Sequence, residues 1–176
     1  EINYLTNASL QYTNKIRKYL KNVSPKVRIA IDCANGAMIE PVNNFFREHI
    51  NCTIINDKPN GKNINHKCGA LESDRLLKFI KKNNIDIGIA FDGDGDRAIF
   101  VSNEYGVIES EKIFILLCIN SSKNIRKDSV VVSEVFNYGT IIFLRNYFDN
   151  VWVTNAGDRN VIEKVKQKKS LSGAEP

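Results

Sequence analysis

The feature that most constrains this chain is a regular alternation of short apolar runs with longer helix-like stretches. Runs at 27–32, 52–55, 85–91, 98–102, 129–135 and 151–153 have strand length and β-branched character. Between them, 4–21, 39–49, 71–82, 111–120, 138–147 and 158–168 carry helical spacing of apolar residues. Strands separated by helices pair in parallel through crossovers, so the expected class is α/β with mixed, largely parallel sheets. Positions 103–106, Asn-Glu-Tyr-Gly, read as a hairpin turn, after which the strand–helix rhythm restarts. Two consecutive α/β domains are therefore expected, 1–104 and 105–176.

Composition removes several function classes. The longest apolar run lies around 113–118, far short of the roughly 18 residues of a membrane span. No membrane partner is expected. The net charge is +5, but the lysines spread along helix-like stretches such as 15–21, 78–82 and 164–169, as solvated helix faces do. Without a basic patch interleaved with aromatics, no nucleic-acid partner is expected. Cys33, Cys52, Cys68 and Cys118 form no C-x-x-C pair and, with His49 and His66, match no zinc-finger spacing. They read as free thiols of a reducing compartment, which points to the cytoplasm. The chain opens on Glu1 without a signal-like segment and closes on Ser-Gly-Ala-Glu-Pro. It reads as a segment of a longer protein.

The stretch richest in chemistry is 87–97, Ile-Gly-Ile-Ala-Phe-Asp-Gly-Asp-Gly-Asp-Arg. An apolar strand runs directly into Asp92, Asp94 and Asp96. Alternate positions of an extended chain share one face, and the intervening glycines permit positive φ. Clustered carboxylates repel one another without a cation, and hard oxygen ligands suit Mg²⁺. Strand C-termini are the usual ligand edge of an open α/β sheet. An EF-hand is excluded, since its sixth and twelfth positions hold Arg97 and Asn103 instead of Gly and Glu. The formal fingerprint Gly93-x-Gly95-x-x-Ala98 would set Asp94 and Asp96 against a pyrophosphate, so a dinucleotide site is rejected. A haloacid-dehalogenase-type phosphatase resembles 92–95 but expects Thr where Asp96 stands.

Asp92-Gly93-Asp94-Gly95-Asp96-Arg97 resembles the metal loop of the α-D-phosphohexomutases. Three further stretches resemble the same family in the same order: 32–37 (Asp-Cys-Ala-Asn-Gly-Ala), 59–70, and 157–164 beginning Gly-Asp-Arg. Gly173-Ala174-Glu175-Pro176 is similar to the start of the family's sugar-specificity loop. The resemblance implies the second and most of the third of four domains. The first and fourth would be partners within the same polypeptide. It implies reversible phosphoryl transfer on a hexose phosphate, with a phosphoserine nucleophile outside these residues. Asp92, Asp94 and Asp96 would hold Mg²⁺, and Arg97 would be catalytic beside the transferring phosphoryl group. Gly157, Asp158, Arg159 and Glu175 would contact the sugar phosphate. The 63–65 and 68–70 stretches and 157–159 favour the members acting on glucosamine phosphate over those acting on mannose or glucose phosphates. A non-catalytic module binding metal or sugar phosphate is the alternative of a different class.

Simpler readings stand beside these roles. Arg97 could pair with a loop aspartate, Asp158 could cap a helix, Arg159 could be a surface charge, and Glu175 an exposed loop acid. The chain departs from the family at 109–112, where Glu-Ser-Glu-Lys replaces the common Asp-Gly-Asp-Gln.

Overall fold

A computed structural model describes residues 7–17, 26–46, 51–121 and 128–176. The ends expected for the first two helices, and His49, lie outside the described residues. The chain divides into two compact units, 1–108 and 109–176.

The first unit runs α1 (Ala8–Ile16), β1 (Ile29–Asp32), α2 (Ile39–Phe46), β2 (Cys52–Ile55), α3 (Ser73–Lys82), β3 (Ile87–Phe91), β4 (Ala98–Ser102) and β5 (Gly106–Ile108). Its sheet has the order β2-β1-β3-β4-β5. β1 pairs in parallel with β2 and β3, whereas β4 and β5 continue antiparallel. The pleat of β1 explains the layering. Ala30 faces a core with Leu76 and Ile80 of α3, Ala90 and Val101. Ile31 faces the other way, onto Val42 of α2, with Cys33, Ile54 and Phe91 around it. Helices thus cover both faces of the parallel strands, as such sheets require. α1 is tied to α2 by a hydrogen bond from Asn44 Nδ2 to Ser9 Oγ at 3.2 Å.

The second unit runs α4 (Ser110–Ser121), β6 (Ser129–Ser133), α5 (Tyr138–Tyr147), β7 (Asn150–Thr154), α6 (Asp158–Lys168) and β8 (Ser172–Ala174). Its sheet has the order β7-β6-β8, all parallel. The central strand, Ser-Val-Val-Val-Ser, is apolar on both faces. Val130 and Val132 pack with Phe114, Cys118, Ile141, Leu144 and Phe148 of the α4–α5 layer. Gly173 of β8 lies so near Val165 and Val161 of α6 that an added Cβ would sit 2.5 Å from Val165 Cγ2.

The α/β class with one mixed and one parallel sheet agrees with the sequence. Two short strands, β5 and β8, go beyond the sequence pattern. β5 places the 103–105 turn inside the first sheet, as a hairpin between β4 and β5, so the first unit ends at 108 and not at the turn itself. β8 forms where the sequence predicts only loop. No described helix is long and apolar enough to cross a membrane.

None of the four cysteines forms a disulfide; Cys33, Cys68 and Cys118 are buried and Cys52 is half-buried. Burial, then the neighbouring Asp32 charge, pushes the Cys33 thiol up to about 12. Burial, partly offset by a side-chain hydrogen bond with Ser172, pushes Cys118 up to about 11. A thiol that holds its proton more tightly when folded stabilises the fold fully below its ordinary value of 9.0. That contribution is lost as pH rises from there toward about 11–12. The melting temperature should therefore fall across this alkaline window, and fall less steeply in Cys118→Ala. Native alkylation at pH 8 should label Cys52 before the other three thiols, as mass spectrometry of digested peptides would show.

Candidate metal centre

The acidic loop leaves the sheet at the C-terminal end of β3 and returns as β4. Its three carboxylates converge as the spacing predicts. One oxygen each of Asp92, Asp94 and Asp96 lies within 4.8 Å of the others. An octahedral Mg²⁺ with ligands at about 2.1 Å spaces them about 3 Å apart when adjacent and about 4.2 Å when opposite. The cluster is near that span, and its all-oxygen donor set suits a hard divalent cation.

The three acids are not equivalent. Asp94 and Asp96 are exposed, but Asp92 is only 4 % exposed. Asp92 Oδ1 accepts hydrogen bonds from the backbone N–H of Gly95 at 3.2 Å and of Arg97 at 3.1 Å. Its Oδ2 accepts from Arg97 Nε at 2.8 Å. Burial alone would raise the Asp92 carboxyl. The backbone and side-chain bonds from Arg97 outweigh it and hold the group at about 2. Asp96 goes the other way: its hydrogen-bonding contact with Asp92, then the Asp94 charge, keeps it above the usual carboxylate range. A cation among these oxygens would relieve that repulsion.

The glycines of the loop serve two purposes. Gly95 takes the left-handed conformation, φ +80°, as the sequence predicts. Gly93 does not; it is needed for contact. Ala37 N–H donates to Gly93 O at 2.9 Å, and a Cβ on Gly36 would stand 2.2 Å from that oxygen. The loop thus rests on the 32–37 turn with no room for a side chain between them.

In the second unit the structure brings together two residues the sequence placed in separate motifs. Both Glu175 oxygens accept from Gly157 N–H, at 2.9 and 2.8 Å. Gly157, at φ +113°, is the residue capping α6. The cap position is therefore not that of Asp158, which is the first residue of the helix. Glu175, beside the positive end of the helix dipole, takes that place. Arg159 pairs along the helix surface with Glu163, Nε to Oε1 at 3.0 Å, with 89 % of its side chain exposed. Such a pair contributes about 0.3–0.5 kcal/mol and leaves the guanidinium accessible.

One further residue set carries no local sequence signal. Glu111, in the segment that departs from the family pattern, braces the start of α5. Its carboxylate accepts from Asn137 N–H at 2.9 Å and from the Thr140 hydroxyl. The helical period shows that Glu111 sits in a first turn, but not that α5 begins beside it.

Comparison with known proteins then decides the family. The sequence profile of phosphoglucomutase/phosphomannomutase, alpha/beta/alpha domain II, matches residues 10–106. The chain belongs to this family. The matched span ends in β5 and covers the acidic loop. A phosphoglucosamine mutase of Clostridium beijerinckii is 36% identical over 90% of this chain. One of Acetivibrio thermocellus is 32% identical over 93%. The chain spans 37% of the length of each of these curated relatives. A solved phosphoglucomutase/phosphomannomutase family protein of Burkholderia thailandensis superposes with a TM-score of 0.82. It covers 95% of this chain at 19% identity, and 37% of its own length is matched. That likeness supports the family fold.

Two outcomes follow from the packing. Gly36→Ala should lower the stability of the first unit by about 1–3 kcal/mol through overpacking against Gly93, read by urea denaturation. Glu175→Ala should cost about 0.5–2 kcal/mol through loss of the α6 cap and speed hydrogen exchange at Gly157. An unchanged Gly157 amide would contradict the capping role.

Proposed function

We propose that this chain is the metal-binding and sugar-contacting portion of a phosphoglucosamine mutase. The whole protein would interconvert glucosamine 6-phosphate and glucosamine 1-phosphate through a bisphosphorylated sugar and a phosphoserine outside these residues. The observation that carries this reading is the convergence of Asp92, Asp94 and Asp96 within 4.8 Å at a strand end, in a member of the phosphohexomutase family. The relatives named above favour glucosamine phosphate over mannose or glucose phosphate.

Mg²⁺, bound by the three carboxylates, would neutralise charge on the transferring phosphoryl oxygens. The side chains divide the remaining work. Asp92 is engaged by Arg97 Nε, which fixes the guanidinium while its terminal N–H groups stay available to a phosphoryl oxygen. Such a pre-set donor requires no reorganisation when charge develops. Glu175 is held by one amide proton, so its oxygens keep lone pairs for sugar hydroxyls. Asp158 and Arg159, in the first turn of α6, would bind the polar end of the same substrate. A cytoplasmic location accords with this chemistry and with the free thiols.

The reading is tested in the intact polypeptide. Turnover should be greatest on glucosamine phosphate; preference for mannose 6-phosphate or glucose 6-phosphate would overturn the substrate assignment. Asp94→Ala should weaken Mg²⁺ binding and lower mutase activity by orders of magnitude, with far-UV circular dichroism nearly unchanged. Near-normal turnover in that variant would remove the metal assignment.

A further inference from the structure

The buried carboxylate of Asp32 lies outside the acidic loop and has no part in the roles above. It stands at the C-terminal end of β1, where the register sets it beside Ala90 of β3 and Ile55 of β2. It is 2 % exposed. Both oxygens are used, each by a backbone amide of a different loop. Oδ1 accepts from Ala34 N–H and Oδ2 from Gly69 N–H, both at 2.9 Å. A charged acceptor makes such bonds stronger than a neutral one would.

Each loop then bears on the base of the acidic loop. The first turns through Ala34 and Asn35, both left-handed at φ +53° and +50°, a conformation that costs non-glycine residues free energy. The turn delivers Gly36 and the Ala37 amide onto Gly93 O. The second passes Gly69, at φ +81°, against Phe91 O; a Cβ there would be 2.8 Å from that oxygen. Asn65 links the two arms. Its N–H donates to Ala34 O at 2.9 Å, and its side-chain amide lies against Gly93, with Nδ2 2.7 Å from the position of an added Cβ.

We propose that Asp32 is a positioning residue for the metal loop: it clamps the 32–37 turn and the 56–70 loop together beneath residues 91–93, and so fixes the spacing of the three carboxylates. This inference rests on the metal reading for its function, but its physical content does not depend on it.

Asp32→Asn is isosteric and keeps one acceptor, but its NH₂ must face an amide N–H. In the full chain, hydrogen exchange of the Gly95 and Arg97 amides should accelerate by about tenfold or more. The Ile89 and Val101 amides of the same sheet should keep their wild-type rates. Mg²⁺ affinity, titrated by calorimetry, should weaken by about 10–100-fold, the usual effect of losing support behind metal ligands. Uniform acceleration across the sheet would show that Asp32 is merely structural, and unchanged exchange at 95 and 97 would also overturn the proposal. If Asp32→Asn fails to fold, Asn65→Gly tests the same path. It preserves the left-handed backbone at an exposed site and should likewise accelerate 95 and 97 alone; wild-type exchange there would break the proposed chain of contacts. Loss of Mg²⁺ binding in Asp94→Ala but not in Asp32→Asn would refute the positioning role alone. Absence of Mg²⁺ binding in the wild-type chain would refute the metal reading, while the exchange rates still judge Asp32.

Discussion

Like-charge repulsion among Asp92, Asp94 and Asp96 is the constraint around which the first unit is organised. Carboxylates this close spread apart unless backbone or counter-charge prevents it. The chain uses both. Arg97 neutralises the buried member, Asp92, and the loop closes on itself through the Gly95 and Arg97 amides. The exposed members, Asp94 and Asp96, lie where a cation from solvent can reach them. The asymmetry follows from burial: the acid that is desolvated is the one that needs a resident partner.

The fold brings this about with local means. Parallel pairing of β1 and β3 puts the ends of two strands side by side, so the turn after β1 and the acidic loop after β3 must meet. Two glycines at the contact, Gly36 and Gly93, let backbone touch backbone. A side chain on Gly36 would run into Gly93 O of the acidic loop, and one on Gly93 would strike the side chains of Ile64 and Asn65. The close approach is therefore part of the site, although neither glycine offers a ligand atom.

The strands of both cores were legible in the sequence because burial on two faces demands uninterrupted β-branched runs, as in Val130-Val131-Val132. The acidic loop was legible because its spacing and its preceding strand are local. What stayed hidden was non-local or too short. β5 and β8 have three residues each, and Ser-Gly-Ala carries no strand propensity; it becomes a strand only because β6 offers an edge. The bond between Gly157 and Glu175 spans 18 positions, and neither residue announces the other. Arg97 pairs with Asp92 through Nε while its side chain stays 66% exposed, so the pairing leaves room for the proposed phosphoryl contact.

The second unit uses carboxylates differently. Glu111 and Glu175 both sit at helix starts, accepting amides that no helix can satisfy internally. Glu111 contributes the brace through Asn137 N–H and the Thr140 hydroxyl. Glu175 is the more informative case. If it receives sugar hydroxyls as proposed, it must be held still without being used up. One N–H shared between two oxygens does this: it sets the plane of the carboxylate, lowers its freedom, and leaves most of its lone pairs open. A salt bridge to a lysine would have anchored it as well but would have competed with the sugar for the same oxygens. Anchoring by a single backbone amide is thus the arrangement under which the helix cap and the proposed sugar contact would be compatible in one residue.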